Sequence, residues 1–317
     1  MKHPPRLAAV FCAALIFSLI AGCASPEESP EKDQDTTSVS ITDYTGTELT
    51  FTAMPARVAA LSASFGEIWL NAGGQLVGVT NDALTERNLS LSQDVSIVGT
   101  IKDPDLEALL ACSPDFVILS ADISSHVKIA ETLRQADIAC GLFHVEYFED
   151  YLSLLDSFCR ITGREDLYEQ NGLVPQQSIE QTLAQAPDLS GKTVLLLRAY
   201  SSGFKAKDSE NMAGTMLSDF GLINILDKYD SLMEDISLEE ILSVDPDYIF
   251  ITTMGSDQQA AIDNLESSLT GNPAWSSLQA VSGGRCFILP QDLFHYKPNA
   301  RWGESYEYLN KLFAENP

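Results

Sequence analysis

The 317 residues predict an α/β protein of two similar lobes, each with a mostly parallel sheet, joined by a long helical segment. Three observations carry that reading. Short apolar runs alternate with helical periodicities along most of the chain, the pattern of parallel strands covered on both faces by helices. A mostly polar helical stretch over residues 148–186 interrupts this alternation near the middle. A segment of the first half also recurs in the second: residues 105–120 (DLEALLACSPDFVILS) align without a gap on residues 237–252 (SLEEILSVDPDYIFIT). Leu106, Glu107, Leu110, Pro114 and Asp115 return as Leu238, Glu239, Leu242, Pro246 and Asp247. Each copy reads as a short helix, a Pro-Asp turn and a buried strand. Two periods are too few for a solenoid, so they mark two lobes.

At the N-terminus, Lys2, His3 and Arg6 bracket the start of an uncharged run over residues 7–21, and Ala21 and Gly22 precede Cys23. This is a secretory signal layout over residues 1–22, too short for a spanning helix. Residues 23–38 are rich in Pro, Ser, Glu and Asp and poor in large apolar side chains, so they are expected to form a disordered tether. The formal charge of -26 becomes more negative once the signal leaves, because it carries Lys2 and Arg6 but no acid. Such a surface repels nucleic acid and anionic headgroups, which argues against both as partners. No later apolar run is long enough to cross a bilayer.

The N-terminal lobe is expected over residues 39–147. Alternation in 39–51, broken at 44–47, predicts a hairpin. A short apolar run at 57–62 and helical spacing over 65–71, stopped by Gly73 and Gly74, give the first strand and helix. Strand 76–80, helix 106–110, strand 116–120, helix 125–135 and strand 138–143 complete the lobe. Residues 148–190 are expected as the connecting helical segment, with Leu152, Leu155, Phe158 and Cys159 on one face and Gly163, Gly172 and Pro175 as interruptions. The C-terminal lobe, residues 191–317, opens with a strand at 193–197. Residues 71–78 have a looser echo in 218–225.

Beyond Cys12 and Cys23 the cysteines are Cys112, Cys140, Cys159 and Cys286, with no CxxC pair. Four cysteines allow three pairings, and buried free thiols are equally compatible with the spacing. The histidines His3, His126, His144 and His295 are scattered, which argues against a dedicated site for a bare metal ion.

Taken together, the Ala21-Gly22-Cys23 seam, the acidic linker, the Arg57-Val58 opening strand, Gly99-Thr100 ahead of Asp105-Leu106-Glu107, the mid-chain helix and the closing Pro298-Asn299-Ala300-Arg301 resemble one family. They look like the substrate-binding lipoproteins of ABC importers, in the class that takes iron-siderophore complexes, haem or cobalamin. The resemblance covers the chain from about Val39 onward. It implies two Rossmann-like lobes joined by one long rigid helix, with ligand in the cleft between them. It implies lipidation of Cys23, although Ile20 stands where leucine is usual, and hence a lipid anchor at the outer face of the cytoplasmic membrane. The implied partners are an ABC permease dimer with its ATPase subunits and a small-molecule metal chelate, bound by a monomer with no intrinsic cofactor and no enzymatic activity. In the family one glutamate on each lobe docks onto permease arginines, and the matching positions are Glu107 and Glu239, with Glu240 a competing choice.

Loops at the carboxyl ends of strands build the clefts of open α/β sheets. That rule nominates residues 62–65, 80–82, 144–147 and 200–207, Met212, and residues 294–302. The candidate ligand contacts are Ser64, His144, Tyr200, Lys205, Met212, Tyr296, Lys297, Arg301 and Trp302. Residues 198–207 (RAYSSGFKAK) hold three cations and no acid, and residues 294–302 set aromatics beside Lys297 and Arg301. Cations beside aromatic faces suit an anionic, partly apolar ligand. A ferric siderophore, which fills its own iron shell, ranks ahead of haem and corrinoids; haem needs an axial His or Tyr, and spacing singles out no pair. A hydrolase and a surface adhesin are the readings from other classes. Residues 61–66 (LSASFG) are not a GxSxG elbow and there is no P-loop, while an adhesin would explain the tether but not the repeated lobes.

Overall fold

The computed structural model describes residues 38–228, 236–255 and 257–317. The signal segment, Cys23 and the tether up to residue 37 lie outside the described residues. The hairpin comes first: β1 (Val39–Thr42) pairs antiparallel with β2 (Glu48–Phe51). Its turn is held by Asp43, whose buried carboxylate accepts from the Thr45 and Thr47 amides and, across the lobe, from the Leu142 amide.

The N-terminal lobe then runs β3 (Val58–Ala60), α1 (Ala63–Asn71), β4 (Leu76–Val79), α2 (Asp82–Thr85), β5 (Ser96–Ile97), α3 (Leu106–Ala111), β6 (Phe116–Ser120), α4 (Ser124–Gln135) and β7 (Ala139–Phe143). All five of its sheet strands are parallel, in the order β5-β4-β3-β6-β7. Every residue of β3 and β6 is buried, because helices cover both faces.

The expected single connecting helix is instead two helical arms. α5 (Phe148–Thr162) ends at Gly163, which takes the left-handed conformation (φ 68°) that releases the chain. α6 (Glu165–Tyr168), a π-helical turn (Glu169–Leu173) and α7 (Val174–Ala184) then follow without a break. Pro175 is the physical reason for the π turn: it has no amide to donate to the Asn171 carbonyl four residues back. That carbonyl accepts the Tyr151 hydroxyl from α5 instead (2.7 Å), tying the two arms together.

The C-terminal lobe contains β8 (Thr193–Tyr200), β9 (Gly203–Lys207), α8 (Met212–Asp219), β10 (Ile223–Asn224), α9 (Leu238–Val244), β11 (Tyr248–Thr253), α10 (Gln258–Leu265), α11 (Gln279–Ser282), β12 (Cys286–Ile288), α12 (Gln291–Phe294) and α13 (Trp302–Glu315). Its parallel order β10-β8-β11-β12 repeats β4-β3-β6-β7 of the first lobe. The difference is the antiparallel β8–β9 hairpin, which has no counterpart after β3.

The sequence repeat is realised atom by atom. Asp105 caps α3 by accepting the Ala108 amide (3.0 Å), and Ser237 caps α9 by accepting the Glu240 amide (3.2 Å). Both helices are followed by a left-handed residue, Ser113 and Asp245, each at φ 45°. The Asp115 carboxylate then accepts the Ala56 and Arg57 amides ahead of β3, as Asp247 accepts the Thr193 amide at the start of β8. Each Pro-Asp turn therefore fixes where the neighbouring parallel strand begins.

One apolar core runs through both lobes, with Trp69, Phe116 and Phe158 on one side, and Phe220, Phe250 and Phe313 on the other. Trp302, 1% exposed, packs at the seam against Phe148 and Tyr151, with ring centroids 5.6 and 6.0 Å apart. Cys112, Cys140, Cys159 and Cys286 are free thiols, and burial pushes Cys159 and Cys286 up to about 11. Among the described residues no helix is long and apolar enough to cross a membrane.

Candidate functional site

The carboxyl ends of the strands of both lobes meet around a cavity of about 560 Å³. From the first lobe come Ser62, Ser64 and Phe65 after β3, Asp82, Glu86 and Arg87 after β4, and Ser120, Asp122 and Ser124 after β6. Met254 and Gly255 after β11, and His295, Tyr296 and Lys297 after α12, form the other wall. Ile101 and Lys102 close the edge.

A network of hydrogen bonds holds the 297–299 turn of the second lobe against the first. Arg87 Nη2 donates to the Lys297 carbonyl (2.7 Å) and pairs with Glu67. Asn299 Nδ2 donates to the Ser64 carbonyl (3.1 Å) and to Glu67 Oε2 (2.6 Å). Glu146, just beyond β7, accepts the Met212 amide at the start of α8 (2.9 Å) on one oxygen and Lys297 Nζ (2.5 Å) on the other.

His126, fully buried, fixes the rear wall. The Ser120 amide donates to Nδ1 (3.0 Å), so Nε2 carries the proton and donates to the Ile101 carbonyl (2.8 Å). Burial pushes its pKa below the ordinary histidine value, consistent with that neutral tautomer. The Ile101 loop continues into α3. Gly99 is required where it begins: at φ +87° an added Cβ would stand 2.5 Å from the Asp105 amide nitrogen.

The expected ligand residues separate into groups. Ser64, Tyr296 and Lys297 line the cavity. His144 does not, but its Nδ1 lies 2.7 Å from the cavity residue Asp122, and its ring sits 4.9 Å from that of Tyr44. Tyr200 ends β8, and Lys205 is exposed on β9, paired in register with Arg198. Met212 and Trp302 correct the expectation: both are buried in the core and line a separate cavity of about 280 Å³, because α8 and α13 turn these side chains toward the seam. Arg301 is also corrected. Its guanidinium is committed to Asp292 and Glu304 on the surface (2.9 Å each) and does not line the large cavity.

Charge in the cleft is accordingly divided rather than uniformly positive. Lys297 is answered by Glu146. Among the described residues three cations without an ion-pair partner, Arg198, Lys205 and Lys207, share the β8–β9 hairpin but do not line the cavity; Arg198 Nε is buried and has no hydrogen-bond partner. Burial, then the charges of Arg198 and Lys297, push His295 down to about 4. Burial and Arg198 likewise lower Lys207. Across the cleft, burial and then Asp82 raise Glu86. No three His, Cys, Asp or Glu side chains group as a metal site among the described residues.

Glu107 and Glu239 are exposed in the first turns of α3 and α9. The alternative, Glu240, is consumed locally: its carboxylate accepts from both the Ser237 amide and hydroxyl (2.8 Å each), closing a capping box.

Sequence reasoning missed Glu86, Arg87, Asp122 and Met254, and reached His295 only as part of the 294–302 loop, without naming it among the ligand contacts. The strand-end rule pointed to residues 80–82 and stopped one helical turn short, at the α2 that carries Glu86 and Arg87 next to the cavity.

Against known families, residues 58–293 match the periplasmic binding protein family. The Fe(3+)-citrate-binding protein YfmC of Bacillus subtilis (strain 168) is 26% identical over 296 residues, 90% of each chain. The iron uptake ABC transporter substrate-binding protein PiuA of Streptococcus pneumoniae superimposes with a TM-score of 0.68 at 19% identity, over 88% of this chain and 98% of that one. The IsdE protein of S. aureus, solved with heme, gives 0.65 at 16% identity, over 81% and 98%.

Proposed function

The chain belongs to the periplasmic binding protein family, and from that premise we propose that it is an extracytoplasmic receptor that captures a ferric siderophore or related iron chelate for an ABC importer. The observation that carries the reading is the cavity of about 560 Å³ between the lobes, lined by paired charges, hydroxyls and aromatic rings at the strand carboxyl ends. Such a lining recognises the periphery of a chelate whose iron is already coordinated, and needs no protein ligand to the metal. The ferric-citrate-binding name of the Bacillus subtilis relative supports the same class of ligand.

Residues 39–147 and 191–317 serve as the two lobes and 148–190 as their connector. Cys23 is the lipid site that holds the monomer at the outer face of the cytoplasmic membrane. Glu107 and Glu239 dock onto the permease, with the ATPase subunits on its far side. Two equivalent carboxylates, one per lobe, match the two similar surfaces of a permease dimer.

Haem is the second reading, favoured by His295. This imidazole lines the cavity and is held neutral, as an axial ligand requires. Corrinoids stand behind both. The experiment is the absorption spectrum and native mass of the protein recovered from iron-starved cells. Broad ligand-to-iron charge-transfer absorption that disappears on reduction is expected; a Soret band selects haem. Absence of binding to ferric chelates, haem and corrinoids alike would overturn the proposal.

A further inference from the structure

Counted with their ion-pair partners, the charges that line the cavity do not balance. Asp82, Glu86 and Asp122 face Arg87, Lys102 and Lys297. Arg87 is answered by Glu67, and Lys297 by Glu146, neither of which lines the cavity. Asp122 has His144. Among the described residues this leaves two carboxylates without an ion-pair partner, Asp82 and Glu86, against the exposed Lys102.

Asp82 is 4% exposed. One of its oxygens accepts the Ala63 amide (2.9 Å), and the other, Oδ1, is buried with no partner. The Ser64 hydroxyl, also part of the lining, is equally buried and unpartnered. A carboxylate oxygen buried without a donor is costly, so an occupant that supplies one gains affinity. Arg198, Lys205 and Lys207, on the β8–β9 hairpin of the other lobe, do not line the cavity and leave this charge unanswered. The first-lobe wall of the cavity is therefore left with uncompensated negative charge.

We propose that the cavity selects a ferric chelate that carries a protonated amine, the amine seated at Asp82 and Glu86. The inference rests on the ferric-chelate reading and narrows it, because a chelate whose periphery is carboxylate on every side would set like charge against Glu86. A primary ammonium has three donors, enough for Asp82 Oδ1, the Glu86 carboxylate and the Ser64 hydroxyl.

The test is a titration of the purified protein, followed by tryptophan fluorescence, with three probes. These are a ferric tris-hydroxamate ending in a free primary amine, the same chelate with that amine acetylated, and ferric citrate. The amine chelate is expected to bind about tenfold more tightly than its acetylated form, as for one charge-assisted contact in a partly buried site. In Glu86→Gln the ratio between those two chelates is expected to collapse toward one, and Asp82→Asn provides a second reading of the same ratio. Equal affinity of the two hydroxamates, or tighter binding of ferric citrate than of the amine chelate, overturns the inference and leaves the ferric-chelate function standing. Failure of all three probes to bind overturns both.

Discussion

Glu146 joins the two lobes, and its removal is expected to destabilise the whole protein. The side chain extends from the end of β7 in the first lobe and makes two contacts with the second, to the Met212 amide and the Lys297 ammonium. The Glu146 and Lys297 side chains are only 28% and 25% exposed, so solvent screens the pair incompletely. A hydrogen bond to a charged group contributes roughly 1.5–3 kcal/mol, and partial exposure argues for the lower end. Glu146→Ala loses both and leaves the ammonium uncompensated, for a total of about 3 kcal/mol. Glu146→Gln keeps an acceptor for the amide and loses the charge, about 1 kcal/mol. One apolar core spans both lobes, so unfolding in urea should be a single transition. With a slope near ~3 kcal/mol/M, the midpoint should fall by about 1 M for the alanine variant and about 0.3 M for the glutamine variant. A double-mutant cycle with Lys297→Met isolates the pair. Midpoints within about 0.2 M of wild type for both Glu146 variants would refute the reasoning, as would two separate transitions in the wild-type protein.

Glu107→Ala and Glu239→Ala should each reduce cellular uptake of the ligand by about tenfold or more, while changing its affinity for the purified protein by less than about twofold. Both carboxylates are exposed and make no contact with the cavity lining, so stability should move by no more than ~0.5 kcal/mol; a matching loss of ligand affinity would refute the docking role. His295 is expected to make stability pH-dependent. Its pKa is about 4 in the folded protein against an ordinary 6.5, so as pH falls through 6.5 the unfolded chain takes the proton first and stability drops until about pH 4. Melting temperatures of wild type and His295→Gln across that window should converge as pH falls, with His126 contributing a slope of the same sign in both. A His295 ring resonance that titrates near 6.5 by NMR would contradict this.

Much of the fold was legible in contiguous residues. Alternating apolar runs, the Gly163 stop and the Asp105 and Ser237 caps are local signals. The repeat carries its own turn chemistry in Asp115 and Asp247, which is why the two lobes could be anticipated, while the strand orders came from the structure. The repeat also places Glu107 and Glu239 at equivalent positions, since a register is a property of sequence alone. The broken connector was half visible: Gly163 and Pro175 were noted, but the rescue of the Asn171 carbonyl by Tyr151 needed the folded pair of helices.

The chemistry of the cleft was decided elsewhere. A cation in a sequence shows its charge but not its counter-charge. Lys297 meets Glu146 across 151 positions of chain, and Arg87 reaches the Lys297 carbonyl across 210. Arg301 is spent on Asp292 and Glu304, and Met212 and Trp302 face the core. The residues near the strand ends therefore predicted a positive cleft, whereas the cavity wall of the first lobe carries Asp82, Glu86 and Asp122. Local propensity is set by residues a few positions apart, so sequence alone determined the elements and their order. Net charge at a point in space is set by whichever residues the completed packing brings within a few ångströms, and only the tertiary structure could decide that.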